Sequence, residues 1–188
     1  MEQRKIVIAN WKMKLGVNES IRLADKIKNL ERSGIDIVIC PSFVSLSKVN
    51  DTITGGKIQL GAQDAFWEEE GAYTGEVSAQ QLKEVGCDYA ILGHSERRKY
   101  LKENDQIVHQ KVKATLSADL IPIICVGETF DQRQNGSTDY ILIQQVTSAL
   151  QGIDGDVEKQ IIVAYEPVWV IGTGQAISED DAAAAHQV

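Results

Sequence analysis

The sequence holds few cysteines, no long apolar run and no cluster of basic residues. Its three cysteines, Cys40, Cys87 and Cys125, are odd in number, far apart and without a C-x-x-C spacing. That excludes a disulfide framework and reads as reduced thiols in a cytoplasmic protein. The longest apolar stretch runs from Leu120 to Gly127, far short of the roughly 20 residues that cross a bilayer. The N-terminus, Met1-Glu2-Gln3-Arg4-Lys5, has no apolar signal segment behind it, so export is not expected. Nineteen basic residues stand against 27 acidic ones, a net charge of −8, the reverse of a nucleic-acid-binding surface. There is no H-E-x-x-H, and His94, His109 and His186 lie at no metal-ligand spacing. Gly56-Lys57 lacks the rest of a P-loop, and Ile177 stands where a dinucleotide fingerprint beginning at Gly172 needs its third glycine. No metal and no cofactor is therefore expected.

What is present is an ordinary globular composition, 43% apolar and 24% charged over 188 residues, expected to form one domain, residues 1–188. Short runs rich in Ile and Val recur as strand candidates at Lys5–Ala9, Asp36–Cys40, Lys57–Gly61, Tyr89–Leu92, Ile121–Val126 and Gln160–Tyr165. Several are apolar almost without alternation, as strands buried on both faces are. Between them, Asn18–Ser33, Ser78–Val85, Asp105–Ala118 and Asp131–Leu150 carry helical patterns, and Ser178 opens a further helix over the alanines 182–185. Alternating strands and helices predict an α/β fold with parallel strands and right-handed crossovers. Periodicity alone leaves open either a doubly wound open sheet or part of a (β/α)8 barrel.

In both folds chemistry gathers at the carboxyl ends of the strands. Those positions hold Asn10 and Lys12, His94-Ser95-Glu96, and Glu166-Pro167. Pro167 steers Glu166 toward extended geometry. The apolar tetrapeptide Val168-Trp169-Val170-Ile171 and the hinge Gly172-Thr173-Gly174 follow, a sequence built like a lid whose closure would desolvate the carboxylate and make it a stronger base. His94, placed where a helix opens, feels the positive end of the helix dipole and is expected to stay neutral, able to donate to a developing oxyanion. Singly, each has a bland alternative: a solvated carboxylate at a helix start, a capping histidine, a surface lysine.

Together these words resemble the triosephosphate isomerase family. They are Ala9-Asn10-Trp11-Lys12-Met13, Gly61-Ala62-Gln63-Asp64, Trp67 through Glu76, Gly93-His94-Ser95-Glu96-Arg97-Arg98, Cys125-Val126-Gly127-Glu128, Ala164 through Trp169 and Ile171-Gly172-Thr173-Gly174. The resemblance implies a (β/α)8 barrel, here incomplete, with six parallel strands and five to six helices. It implies a cofactor-free isomerase interconverting dihydroxyacetone phosphate and glyceraldehyde 3-phosphate. Glu166 is then the base, His94 the neutral electrophile, Lys12 the cation for phosphate and enediolate, and Asn10 a further polarising group. Gly172 donates its N–H to the phosphate, while Glu96 and Ser95 support the site from behind. Pro167, Val168, Trp169, Val170, Ile171, Gly172, Thr173 and Gly174 form the lid. Residues 66–77 form a dimer loop whose tip, Thr74 and Gly75, reaches a partner's site, so a homodimer is expected. Two other readings remain: an inactive fragment that only binds or associates, and a different phosphosugar enzyme on an open sheet.

The sequence departs from the family pattern in length, since such barrels run to about 250 residues. The chain stops inside its sixth helix, so strands 7 and 8 and their share of the phosphate site are expected to be absent. The 188 residues alone are then expected to be poorly folded and nearly inactive. Val170 replaces the usual Ala of the lid and Gln175 a common Lys.

Overall fold

The computed structural model describes residues 5–30, 33–153, 161–174 and 176–188. Six strands alternate with helices: β1 (Lys5–Asn10), α1 (Val17–Ile27), β2 (Ile35–Cys40), α2 (Leu46–Ile53), β3 (Ile58–Ala62), α3 (Ala79–Val85), β4 (Tyr89–Leu92), α4 (Ser95–Tyr100), α5 (Asp105–Ser117), β5 (Ile121–Val126), α6 (Phe130–Gln134), α7 (Thr138–Leu150), β6 (Ile162–Tyr165) and α8 (Glu179–Ala185). All six anticipated strands form within one or two residues of their expected ends. Gln160, the anticipated start of β6, lies outside the described residues. The eight helices among the described residues exceed the expected five to six for physical reasons. The stretch expected as one helix over 131–150 breaks where Gly136 adopts φ +68°, a left-handed conformation that ends α6. Ser95–Tyr100 forms its own helix before α5. The α2 segment was not anticipated; Leu46, Val49 and Ile53 recur along it at helical spacing and all three are buried.

The chain groups into two compact units, Met1–Ile91 with Ala114–Ile121, and Leu92–Lys113 with Pro122–Val188. In the first, β1, β2, β3 and β4 pair in sequence order, each pairing parallel. Its buried core includes Val38, Ile39, Leu60, Ala62 and Ala90 from the strands and Ala24, Val49, Ile53 and Leu82 from the helices. Each large side chain so buried contributes roughly 1.5–3 kcal/mol. Gly61 is required in mid-strand because a Cβ there would lie 2.6 Å from Cys40 Sγ. In the second unit β5 and β6 pair in parallel from Ile123↔Ile162 to Val126↔Tyr165. Ile123, Ile124 and Val126 of β5 are buried, as are Val108, Val112, Leu142 and Ala149 of the helices. Apolar strand residues at the sides of these sheets stay open: Val7 of β1 is 53% exposed and Val163 of β6 37%. Among the described residues no helix is long and apolar enough to cross a membrane.

All three cysteines are free and buried. Burial pushes the Cys40 thiol up to about 12, and nearby Cys87 adds to the rise. Burial also lifts Cys87 to about 12, with Asp88 adding and Lys83 opposing. A thiol raised by folding leaves stability untouched below its unfolded value of 9.0 and erodes it as pH climbs toward 12. The expected result is an unfolding free energy whose loss above pH 9.0 has a thiol component of up to ~1.4 kcal/mol per pH unit per thiol. Urea titrations across that range, repeated on a Cys40→Ala/Cys87→Ala variant, check it. An alkaline slope identical in the two proteins would show that the thiols are not its source.

Candidate active site

In the first unit the candidate residues follow β1. Asn10, the last residue of the strand, turns its side chain back so that Oδ1 accepts the Lys12 N–H at 2.9 Å. This local ring holds Lys12 at φ +53°, a left-handed conformation that costs a lysine of order 1–3 kcal/mol and persists only where its surroundings insist on it. Gln63, at the end of β3, supplies that insistence. Its amide donates to the Lys12 carbonyl at 2.9 Å and to the Cys40 carbonyl at 2.8 Å. The constraint on Lys12 therefore comes from two strands away; Gln63 stands at a strand end and in a matching word, but neither assigns it a role. Lys12 and Asn10 are both half-buried.

The second unit brings His94, Ser95, Glu96 and Glu166 together. His94 caps α4, and its Nδ1 accepts the Glu96 N–H at 3.2 Å. A ring nitrogen that accepts carries no proton, so the neutral imidazole bears its hydrogen on Nε2. That Nε2 lies 3.1 Å from Glu166 Oε1, in position to donate. The other carboxylate oxygen, Oε2, accepts the Ser95 N–H at 2.9 Å. The Glu166 and His94 side chains are only 15% and 11% exposed. Behind His94, Gly93 takes φ +68°, and its carbonyl accepts from Arg98 Nε at 2.8 Å.

The backbone of Glu166 is fixed as tightly as its side chain. Its N–H donates to the Val126 carbonyl at 2.7 Å, extending the β5–β6 ladder by one residue. A Cβ at Gly127 would sit 1.8 Å from the Glu166 carbonyl oxygen. No side chain fits there, so Gly127 permits the approach that aims the carboxylate.

The segment after Glu166 folds as consecutive turns: the Val170 N–H meets the Pro167 carbonyl at 3.0 Å and the Thr173 N–H meets the Val170 carbonyl at 3.1 Å. Val170 is buried, while Gly172 and Gly174 are exposed with φ +78° and +76°. Gln175 lies outside the described residues. Trp169, half-buried, donates its indole N–H to Glu128 Oε1 at 3.0 Å. Glu128 is fully buried and also accepts from the Tyr165 hydroxyl, 3.1 Å and 3.0 Å from its two oxygens. Burial raises the Tyr165 hydroxyl above its ordinary range, and the adjacent carboxylate raises it further. Glu128 thus joins the end of β6, at Tyr165, to Trp169 in the turns that follow. Its sequence signal was its place two residues past the end of β5, but an acidic residue there reads as easily as a solvated turn.

The expected dimer loop, residues 66–77, is closed at its base by the Phe66 N–H on the Val77 carbonyl at 2.8 Å; its tip, including Thr74 and Gly75, is exposed. A cavity of about 280 Å³ in the second unit is lined by Val126, Leu142, Val163 and Tyr165 and contains none of the candidate catalytic side chains. Among the described residues no group of three or more His, Cys, Asp or Glu is placed to hold a metal ion.

The triosephosphate isomerase family matches residues 5–188. The chain belongs to that family. It is 46% identical over 181 residues to the triosephosphate isomerase of Thermoanaerobacter sp. (strain X514), covering 96% of this chain and 73% of that protein. It is 44% identical over 182 residues to that of Dictyoglomus turgidum, with the same coverage. The crystal structure of triosephosphate isomerase from Bartonella henselae superposes with a TM-score of 0.84 at 36% identity, over 98% of this chain and 73% of that one. The fold is therefore that of a triosephosphate isomerase barrel in incomplete form, with six parallel strands, and the open-sheet alternative has no support. The family is one of isomerases acting on triose phosphate. The chain spans about three-quarters of the length of these relatives.

Proposed function

We propose that the chain carries the proton-transfer site of a triosephosphate isomerase, moving a proton between C1 and C2 of dihydroxyacetone phosphate to give glyceraldehyde 3-phosphate. The observation that carries this reading is the His94 Nε2–Glu166 Oε1 contact at 3.1 Å, with His94 Nδ1 occupied by the Glu96 N–H. A neutral Nε2–H donor beside a carboxylate is what enolisation next to a carbonyl needs. Glu166 takes the C1 proton and the electrons move onto the C2 oxygen, where His94 Nε2–H stabilises the enediolate; the hydroxyl proton passes from O1 to O2, and Glu166 returns its proton to C2, leaving the aldehyde at C1. No atom is gained or lost, so no cofactor is required.

The same reading assigns Lys12 to the phosphate and the enediolate, and Asn10 to the carbonyl region as well as to the Lys12 turn. Gly172 is assigned to the phosphate through its N–H, and residues 167–174 to closure over Glu166, excluding water. Ser95 and Glu96 act through the positions of Glu166 and His94. The strained turn at Lys12 and the buried Glu128 anchor under Trp169 support these assignments. The reading treats residues 1–188 as one catalytic domain that pairs into a homodimer through the Thr74–Gly75 loop. It places the enzyme in the cytoplasm, in keeping with three free thiols, and in glycolysis and gluconeogenesis.

The test is isotopic. The purified chain is incubated with dihydroxyacetone phosphate in heavy water and deuterium at C1 is followed by proton NMR. Incorporation is expected, and His94→Ala is expected to reduce it roughly 10²–10³-fold, the usual cost of removing one oxyanion donor. Incorporation no faster than in the absence of protein would refute the proposal.

A further inference from the structure

Arg133 lies on α6, outside every residue assigned above, yet its guanidinium meets both the lid, at Trp169, and the chain beyond it, at Asp181. Its Cζ stands 4.8 Å from the centre of the Trp169 ring, over the indole face. Its Nη2 lies 2.8 Å from Asp181 Oδ1, in the first turn of α8, and its Nη1 lies 3.4 Å from Glu128 Oε1. Asp181 is held in turn: its Oδ2 accepts the Ser178 hydroxyl at 2.8 Å, and its N–H donates to Ser178 Oγ at 3.1 Å. The Arg133 side chain is only 28% exposed. Glu128 already fixes the Trp169 indole N–H, so ring, carboxylate and guanidinium form one cluster. A planar cation suits this place because one face can stack on an aromatic while the edge donates to two carboxylates.

We propose that Arg133 is a positioning residue for the lid: it clips Trp169 near the lid's start and Asp181 beyond its end to the Glu128 anchor, and so sets how readily the lid moves. The inference rests on the proposed function, since lid motion matters because Glu166 is the base. Neither Arg133 nor Asp181 touches the reacting atoms. Displacing the lid requires the indole to slide off the cation or α8 to yield the Asp181 ion pair, and each contact resists by a modest amount.

Hydrogen exchange of the 188-residue chain read by mass spectrometry and NMR tests this without relying on turnover. In Arg133→Gln the amides of Val170 and Thr173, whose hydrogen bonds close the lid turns, are expected to exchange roughly five- to thirtyfold faster, from the combined loss of the cation–π contact with Trp169 and the ion pairs with Asp181 and Glu128. The amides of α7 are expected to stay unchanged. Arg133→Lys, which keeps charge but not the planar fork, should fall between. Asp181→Asn should reproduce part of the effect, and high salt should speed lid exchange in the parent chain more than in Arg133→Gln. Unchanged lid amides overturn the proposal. So does a parallel rise in α7, which would mean that Arg133 acts only on general stability. Failure of the isotope experiment would refute the isomerase reading while leaving the exchange result to stand on its own.

Discussion

Glu166→Gln is expected to slow deuterium incorporation into dihydroxyacetone phosphate by roughly a hundred- to ten-thousandfold, the span a positioned general base contributes. The substitution preserves shape and removes the proton-accepting charge. It also creates a conflict in place. The carboxylate accepts from two donors at once, His94 Nε2 at 3.1 Å and the Ser95 N–H at 2.9 Å. An amide offers one oxygen and one NH2, so if its oxygen keeps Ser95, its NH2 faces the His94 N–H. The ring must then turn away or exchange its tautomer, which Nδ1 resists because it already accepts the Glu96 N–H at 3.2 Å. Base and electrophile are lost together, and Glu166→Asp, which keeps the charge and retracts it by one methylene, should retain more exchange than Glu166→Gln. The measurement is the NMR exchange rate of the variants beside the parent chain, with circular dichroism as the control for folding. Exchange in Glu166→Gln within tenfold of the parent would contradict the assignment of the base.

The second large effect is on stability and lies away from the chemistry. Lys111 on α5 is 2% exposed, and its ammonium pairs with Glu103 Oε1, which also accepts from Arg97 Nε at 2.7 Å. The Glu103 side chain is 5% exposed, and its second oxygen, Oε2, has no hydrogen-bond partner. Lys111→Met fills the same space with an apolar chain and leaves a buried carboxylate whose remaining partner, Arg97, is itself a quarter exposed. Breaking a buried pair from one side costs about 3–5 kcal/mol, against a total stability of about 5–15 kcal/mol. For a chain of this size that corresponds to a melting temperature lower by roughly 6–20 °C. Adding Glu103→Gln removes the stranded charge and should recover most of the loss, because the penalty lies in the uncompensated charge more than in the missing attraction. Thermal unfolding of the parent, the single and the double variant reads both effects. A double variant no more stable than Lys111→Met would mean that the penalty is a packing defect.

The strands were legible because burial on both faces selects near-continuous Ile and Val runs, a signal that does not depend on anything distant. Asn10, Lys12, His94 and Glu166 were legible as candidates because each stands at or within two residues of the end of such a run. The broken helix at Gly136 and the unanticipated α2 show the limit of that signal. In the first a single left-handed glycine outweighs a helical pattern on either side of it. In the second a polar surface masks three buried side chains.

Residue types and their spacing thus determined the strand–helix alternation, the candidate base and electrophile, and the family. Tertiary structure alone decided which nitrogen of His94 carries the proton, since that depends on the Glu96 N–H folding back onto Nδ1. It alone gave Gln63 its hold on Lys12, Gly127 its place against the Glu166 backbone, and Glu128 its grip on Trp169. The His94 contact spans only two residues and depends on how α4 opens; the other three share one reason. Hydrogen bonds and steric limits between residues tens of positions apart leave no periodicity along the chain, and exist only once neighbouring strands bring those positions within about 3 Å of each other.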